Sequence, residues 1–238
     1  MTPRIIHFIR HAEGWHNAQS DETIPDPDLT PLGLTQSTSL STKFPHFPTI
    51  DLVCASPIRR AIQTALITME PFLKSGSKKI LALPLAQEAT DKPANTPSPL
   101  ARLEKEYGAF VDFRRCMDHH LKDYTSKRGE FSPEPKSLAQ RARELRLFLR
   151  ELDSEEIVVV SHGDFLHYVS GDVNQDGEQE GGGWRNTEFR SYRFEPVGHD
   201  DALMQETLES VRLRGASGPG KELGSGEGAE TFLQDGLK

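Results

Sequence analysis

The chain has only two cysteines, Cys54 and Cys116, in 238 residues. That is too few for a disulfide framework, so the expected setting is a reducing compartment. No apolar run approaches the roughly 20 residues that a membrane-spanning helix needs. There is no basic excess either: 28 Lys and Arg against 36 Asp and Glu leave a net charge of −8, which argues against general binding to nucleic acid or an anionic membrane. An acidic protein that handles an anion must gather its arginines locally. A β-rich run starts as early as Arg4, which leaves no room for a secretory leader ahead of it. A soluble, cytoplasmic protein is the expectation.

What is present is a pair of short apolar runs, each ending in histidine. Arg4-Ile5-Ile6-His7-Phe8-Ile9-Arg10-His11 stops at an Arg-His pair and opens into a loop containing Gly14. Glu156-Ile157-Val158-Val159-Val160-Ser161-His162-Gly163 is a second β-branched run that delivers a histidine and a glycine. Continuous apolar runs of this length fit buried parallel strands, and ligands of open α/β sheets collect beyond the strands' carboxyl ends. Parallel neighbours would bring His11 and His162 to one rim. Arginine offers a planar fork of donors suited to phosphate, and histidine is suited to nucleophilic or acid chemistry near neutral pH.

Between these runs lie further strands at Ile50–Ser56 and Lys78–Leu83, and helices at both ends of the intervening chain. Thr30 followed by Pro31 predicts an N-cap and first helical position, with Gly33 allowing close helix–sheet packing. Ser56-Pro57 predicts the same, which puts Arg59 and Arg60 early in a helix, where backbone N–H groups and the dipole favour an anion. Residues 92–135 form an insertion with expected helical patches at Leu100–Tyr107 and Phe110–Tyr124, and Lys136–Asp153 has the apolar spacing of a long helix. Another helix starts at Gly163. Asp172–Gly183 reads as a flexible loop, Thr187–Phe194 as a half-exposed strand, Asp201–Arg214 as a short helix, and the chain beyond Gly215 as a disordered tail. The domain reading is one unit over 1–198, its 92–135 insertion capping the rim, followed by 199–238.

Arg10-His11-Ala12-Glu13, Leu29-Thr30-Pro31-Leu32-Gly33-Leu34-Thr35-Gln36, Ser56-Pro57-Ile58-Arg59-Arg60-Ala61-Ile62-Gln63-Thr64-Ala65 and Val159-Val160-Ser161-His162-Gly163 together resemble the histidine phosphatase superfamily, also called the phosphoglycerate mutase-like family. The resemblance spans roughly residues 4–195, with its specific motifs confined to short islands. It implies a three-layer α/β/α fold with a mostly parallel central sheet and an inserted helical cap. It also implies a phosphatase acting on a small-molecule phosphate ester without cofactor or metal. By motif position, His11 is the covalent nucleophile, and His162 acts beside it. Glu88 is the general acid, with Asp91 next in the same loop. Arg10, Arg60 and Asn17 bind the phosphoryl oxygens, and Arg60 rather than Arg59 takes the ligand's place. Glu13 is expected to orient its neighbours. Read without the family, an Arg-Arg pair on a helix is more often a solvated face.

Three other readings compete. The mutases share the phosphohistidine step, but this chain has Asp21-Glu22-Thr23-Ile24-Pro25-Asp26-Pro27-Asp28 where they carry a Phe-x-Gly-Trp-x-Asp phrase, which favours water as acceptor. A metal hydrolase would use close histidine spacing, and His7 and His11 are four apart, but on a strand rather than a helix. A non-hydrolytic binding or scaffold protein would have lost a histidine or an arginine, and none is missing.

Overall fold

The computed structural model describes residues 4–76, 78–174, 176–195 and 201–216. Its strands are β1 (Ile5–Arg10), β2 (Leu52–Ala55), β3 (Ile80–Ala82), β4 (Val111–Asp112), β5 (Glu156–Ser161), β6 (Phe189–Phe194) and β7 (Met204–Glu206). The α-helices are α1 (Trp15–Gln19), α2 (Pro31–Lys43), α3 (Arg59–Thr68), α4 (Glu70–Lys74), α5 (Leu100–Tyr107), α6 (Pro135–Glu151), α7 (Gly163–Ser170) and α8 (Leu208–Ala216). The strands form one sheet in the order β4-β3-β2-β5-β1-β6-β7. Pairing is parallel from β4 through β1 and antiparallel at β6 and β7. The architecture is the expected three-layer α/β fold.

β1 and β5 lie side by side at its centre, with Ile6 against Ile157 and Arg10 against Ser161. Ile6, Phe8, Ile9 and Ile157 to Val160 are buried, which is why both strands read as unbroken apolar runs. The chain starts in β1, moves out through β2, β3 and β4, and returns to insert β5 between β1 and β2. That reversal opens a crevice beyond the carboxyl ends of β1 and β5.

Local chemistry explains most element starts. The Thr30 hydroxyl accepts from Gly33 N at 3.0 Å, and Pro31 takes the first helical position of α2. Leu138, Ala142, Leu145 and Leu149 bury one stripe of α6. Both cysteines are free and buried, and burial pushes each thiol up to about 12, so neither is a reactive thiolate.

Four local expectations need correction. Helix α3 starts at Arg59 with Ile58 as its N-cap, so Ser56 is not the cap. Gly33 admits a loop rather than the sheet: a Cβ there would lie 2.1 Å from the Glu13 carbonyl oxygen. The segment expected to be helical over 110–124 instead gives β4, a 3-10 turn at Arg114–Met117 and further turns. Residues 201–214 are strand β7 followed by α8, and β7 extends the sheet beside β6. The tail read as disordered lies, from residue 217 on, outside the described residues. Among the described residues no helix is long and apolar enough to cross a membrane.

Candidate active site

The rim above β1 and β5 is built by register. Arg10 pairs with Ser161, and His11 N donates to the Ser161 carbonyl at 2.9 Å. The next residues, His11 and His162, therefore leave the sheet side by side, with ring centroids 5.0 Å apart. Both are buried.

Their hydrogen bonds settle the tautomers. His11 Nδ1 lies 2.7 Å from the Ala12 carbonyl, which can only accept, so Nδ1 carries the proton and Nε2 keeps its lone pair. That lone pair accepts from Arg60 Nε at 3.1 Å. Arg60 also faces His162 Nδ1 at 3.1 Å, and an arginine only donates, so Nδ1 of His162 is the acceptor. Its Nε2–H then donates to the Ser56 hydroxyl at 2.8 Å. Both imidazoles are neutral in this arrangement.

Arg60 is the hub. It is fully buried, and it also donates to the Ala94 carbonyl at 2.6 Å and to Asn95 Oδ1 at 2.7 Å. Burial lowers its pKa to about 10, which leaves it charged at neutral pH. Arg59, one position earlier, is buried too, so the pair is no solvated face. Its guanidinium is held by Asp28 at 2.6 Å and Glu106 at 2.5 Å. Arg10 donates to the Trp184 carbonyl and lies against Gly163, where an added Cβ would sit 3.3 Å from Arg10 Nε. Its charge, after burial and that of Arg60, depresses the pKa of His11 and His16.

Glu88 is buried. Its Oε1 accepts from Ala89 N at 2.8 Å and from Phe165 N, in the first turn of α7, at 3.0 Å. It thus sits at the helix N-terminus that His162 caps. Burial and the nearby Asp164 raise its pKa, against the pull of those N–H groups and Arg60. Asp91, the other acid in this loop, is exposed. Asn17 is half-buried, its Oδ1 accepting from Gly14 N at 3.1 Å. Glu13 is framework: its Oε1 accepts from the Thr30 hydroxyl at 2.6 Å and its N–H donates to Gln36 at 2.8 Å.

Several residues of the site carry no signal in sequence or were read otherwise. Ser56 reads as a helix cap but orients His162. Lys127 Nζ donates to the Glu88 carbonyl at 3.3 Å, and burial among cations lowers its pKa to about 7. Arg141 is buried against Phe165, its guanidinium carbon 4.2 Å from the ring centroid, and donates to the Gln87 and Glu88 carbonyls at 3.0 and 3.2 Å. A basic residue three positions from Leu138, on the apolar stripe of α6, was its one sequence clue. His16 is buried with its ring centroid 5.7 Å from that of His11, and burial with Arg60 and Arg10 lowers its pKa to about 3.

Arg10, Arg60, Arg141 and Lys127 therefore surround one buried carboxyl and three neutral imidazoles. Such a pocket favours an anion. A cavity of about 1010 Å³ lies elsewhere, beside Lys43, Arg185, Val211 and Arg214, and none of His11, His162, Arg60 or Glu88 lines it. The chemistry of the rim, not cavity size, locates the site.

The model of the histidine phosphatase superfamily (branch 1) matches residues 6–76, which hold β1, the Thr30-Pro31 cap and α3. A probable phosphatase of Schizosaccharomyces pombe is 27% identical over 167 residues, covering 67% of this chain and 74% of that protein. A phosphoglycerate mutase-like protein of Arabidopsis thaliana is 27% identical over 209 residues, covering 73% and 76%. Among solved structures, a mycobacterial glucosyl-3-phosphoglycerate phosphatase shares the fold with a TM-score of 0.55 at 15% identity, over 86% of this chain and 97% of that one. A phosphoserine phosphatase of Entamoeba histolytica does so with a TM-score of 0.52 at 20% identity, over 85% and 94%. In motif, fold and relatives alike, the chain is similar to the histidine phosphatase superfamily.

Proposed function

We propose that the protein hydrolyses small-molecule phosphomonoesters through a phosphohistidine on His11. The observation that carries this reading is the orientation of His11: Nδ1 is held by the Ala12 carbonyl at 2.7 Å, so the Nε2 lone pair faces a buried cationic pocket. A phosphoryl group entering that pocket takes the donors that Arg60 now offers to the two imidazoles, and Arg10 adds charge. His11 Nε2 forms the bond to phosphorus as the ester P–O bond breaks. The leaving alkoxide takes the proton of Glu88, whose raised pKa keeps it protonated nearer neutrality. Glu88, now a carboxylate, removes a proton from water, which attacks phosphohistidine and releases orthophosphate. His162, once an anion is bound, holds a proton against the growing negative charge, and Asn17 adds a neutral donor. No step uses a metal.

The names of the solved neighbours, glucosyl-3-phosphoglycerate phosphatase and phosphoserine phosphatase, describe enzymes of this substrate class. Orthophosphate release from a panel of phosphate esters, with rapid-quench trapping of the phosphoenzyme, tests the reading. Acid-labile phosphate on any residue other than His11 sinks it.

A further inference from the structure

The anion site uses only part of the histidine complement. At the other end of the same two strands, His7 of β1 and Glu156, the first residue of β5, meet His46 from the connection between α2 and β2. His7 Nε2 lies 2.7 Å and His46 Nδ1 3.4 Å from the same carboxylate oxygen, Glu156 Oε1. The three donor atoms lie within 4.8 Å of one another.

A buried hydrogen bond accounts for His7 with Glu156. It does not account for a second imidazole with a nitrogen 3.4 Å from the same oxygen. That ring stacks on the first with centroids 4.3 Å apart and planes 27° apart, so the partly exposed His46 must swing for both lone pairs to meet one ion. We propose that His7 Nε2, His46 Nδ1 and the Glu156 carboxylate form a site for a divalent transition metal of the zinc class, with a fourth position open to solvent.

The donor set is one that zinc takes with three protein ligands, and imidazole selects against magnesium and calcium. Tetrahedral bonds of 2.0–2.1 Å put ligand atoms about 3.3 Å apart. The His46–Glu156 separation of 3.4 Å already fits. The 2.7 Å between His7 and Glu156 is that of a shared proton and must widen by about 0.6 Å when a metal replaces it.

That proton has somewhere to go. His7 Nδ1 lies 2.8 Å from Ser191 Oγ on β6, and a hydroxyl both donates and accepts. With the proton on Nε2, Ser191 donates to Nδ1; with a metal on Nε2, the proton moves to Nδ1 and Ser191 accepts it. The same contact then fixes the ligating tautomer. His7 is closed off, while Glu156 and His46 remain 12% and 20% exposed, which leaves a route for the ion and its water. Phe44 packs edge-on to both imidazoles and dries the surroundings. Four residues of strand put this site about 13 Å from His11, outside the catalytic rim. Its role is to tie β1, β5 and the α2–β2 connection together.

The experiment is zinc titration of the full chain after chelator dialysis, read by competition with a chelating dye and by thermal melting, with cobalt as a spectroscopic substitute. One zinc per chain, a higher melting temperature and the visible bands of tetrahedral cobalt are expected. Removing a ligand should cost more than the roughly tenfold lower limit for outer-shell changes, so His46→Gln and Glu156→Gln should weaken zinc by more than that, and His11→Asn should not. His46→Gln alters a partly exposed side chain and should leave phosphatase turnover below the melting transition unchanged. Zinc bound equally by wild type and His46→Gln overturns the proposal, as does zinc lost only in His11→Asn, which would place the ion at the rim.

Discussion

At the carboxyl end of β1 and β5, His11 and His162 are buried with Arg60 between them, whereas at the amino end His7 and His46 are turned on the carboxylate of Glu156. The strands and the side chain are the same, and the fold buries one imidazole at the amino end and three, with His16, at the rim. What differs is the sign of the third partner. Positive charge at the rim lowers the pKa of the histidines further than burial alone and leaves a pocket that an anion completes. At the amino end a carboxylate completes the pair, and what fits is a proton or a cation. A histidine pair therefore says little about function until its neighbours' charge is known.

The sharpest break between the two ends is covalent chemistry. His11→Asn should abolish phosphoenzyme formation and lower turnover by on the order of 10⁴-fold or more, as expected when a nucleophile is lost. His46→Gln at the other end should leave turnover in place. Single-turnover assays with trapped phosphoenzyme make the comparison, and equal losses at both ends would end the separation of roles.

Next in size is Glu88→Gln. An alkyl phosphate expels a basic alkoxide that needs the proton, so the loss there should be about 10²–10⁴-fold. An aryl ester such as p-nitrophenyl phosphate expels a stable anion and should lose much less in phosphorylation of His11. The first step must be isolated by rapid quench, because water attack also uses Glu88. Equal losses would make Glu88 a positioning group, and no loss would send the search to the exposed Asp91.

The arginine pair sharpens the rim itself. Arg60→Ala removes charge-assisted bonds worth about 1.5–3 kcal/mol each, or ten- to over a hundredfold in rate if realised in the transition state. Arg59→Ala should instead lower the melting temperature, since it removes the ion pairs that tie α3 to Asp28 and to Glu106 of α5. Steady-state kinetics and melting on both variants separate the effects, and matching rate losses would contradict the assignment of Arg60.

What the sequence discloses follows burial and locality. β1 and β5 were readable because strands buried on both faces write continuous apolar runs, and the Thr30-Pro31 start of α2 because a cap is a local event. β4 and β7 were not, since two or three residues that pair only through tertiary contact have no periodicity of their own. Ser56 misled because Ser-Pro suits a turn as well as a cap. Arg141 and Lys127 were hidden because a lone basic residue reads as solvated until the fold buries it. Residues 7, 46 and 156 share no spacing at all, and only sheet register brings them together.

The smallest effect concerns His162 and reads the charge of the rim directly. Burial, Arg60, His11 and Lys127 hold its pKa well below 6.5, so it is neutral near pH 7, and its Nδ1 accepts from Arg60. A bound dianion supplies opposite charge a few ångströms away and raises that pKa. Between the two values the complex holds more protons than the free protein, so binding must take protons up, by linkage at most about one per titrating imidazole. Uptake should be larger at pH 6 than at pH 8, since fewer free protons are available to the raised group as pH rises. Sulfate is the probe, because its own protonation does not change in this range. Calorimetry in buffers of different ionisation enthalpy gives the proton count, and His162→Gln should reduce it. Proton release on binding, or no exchange at any pH, would show that His162 stays neutral and that Arg10 and Arg60 alone hold the anion.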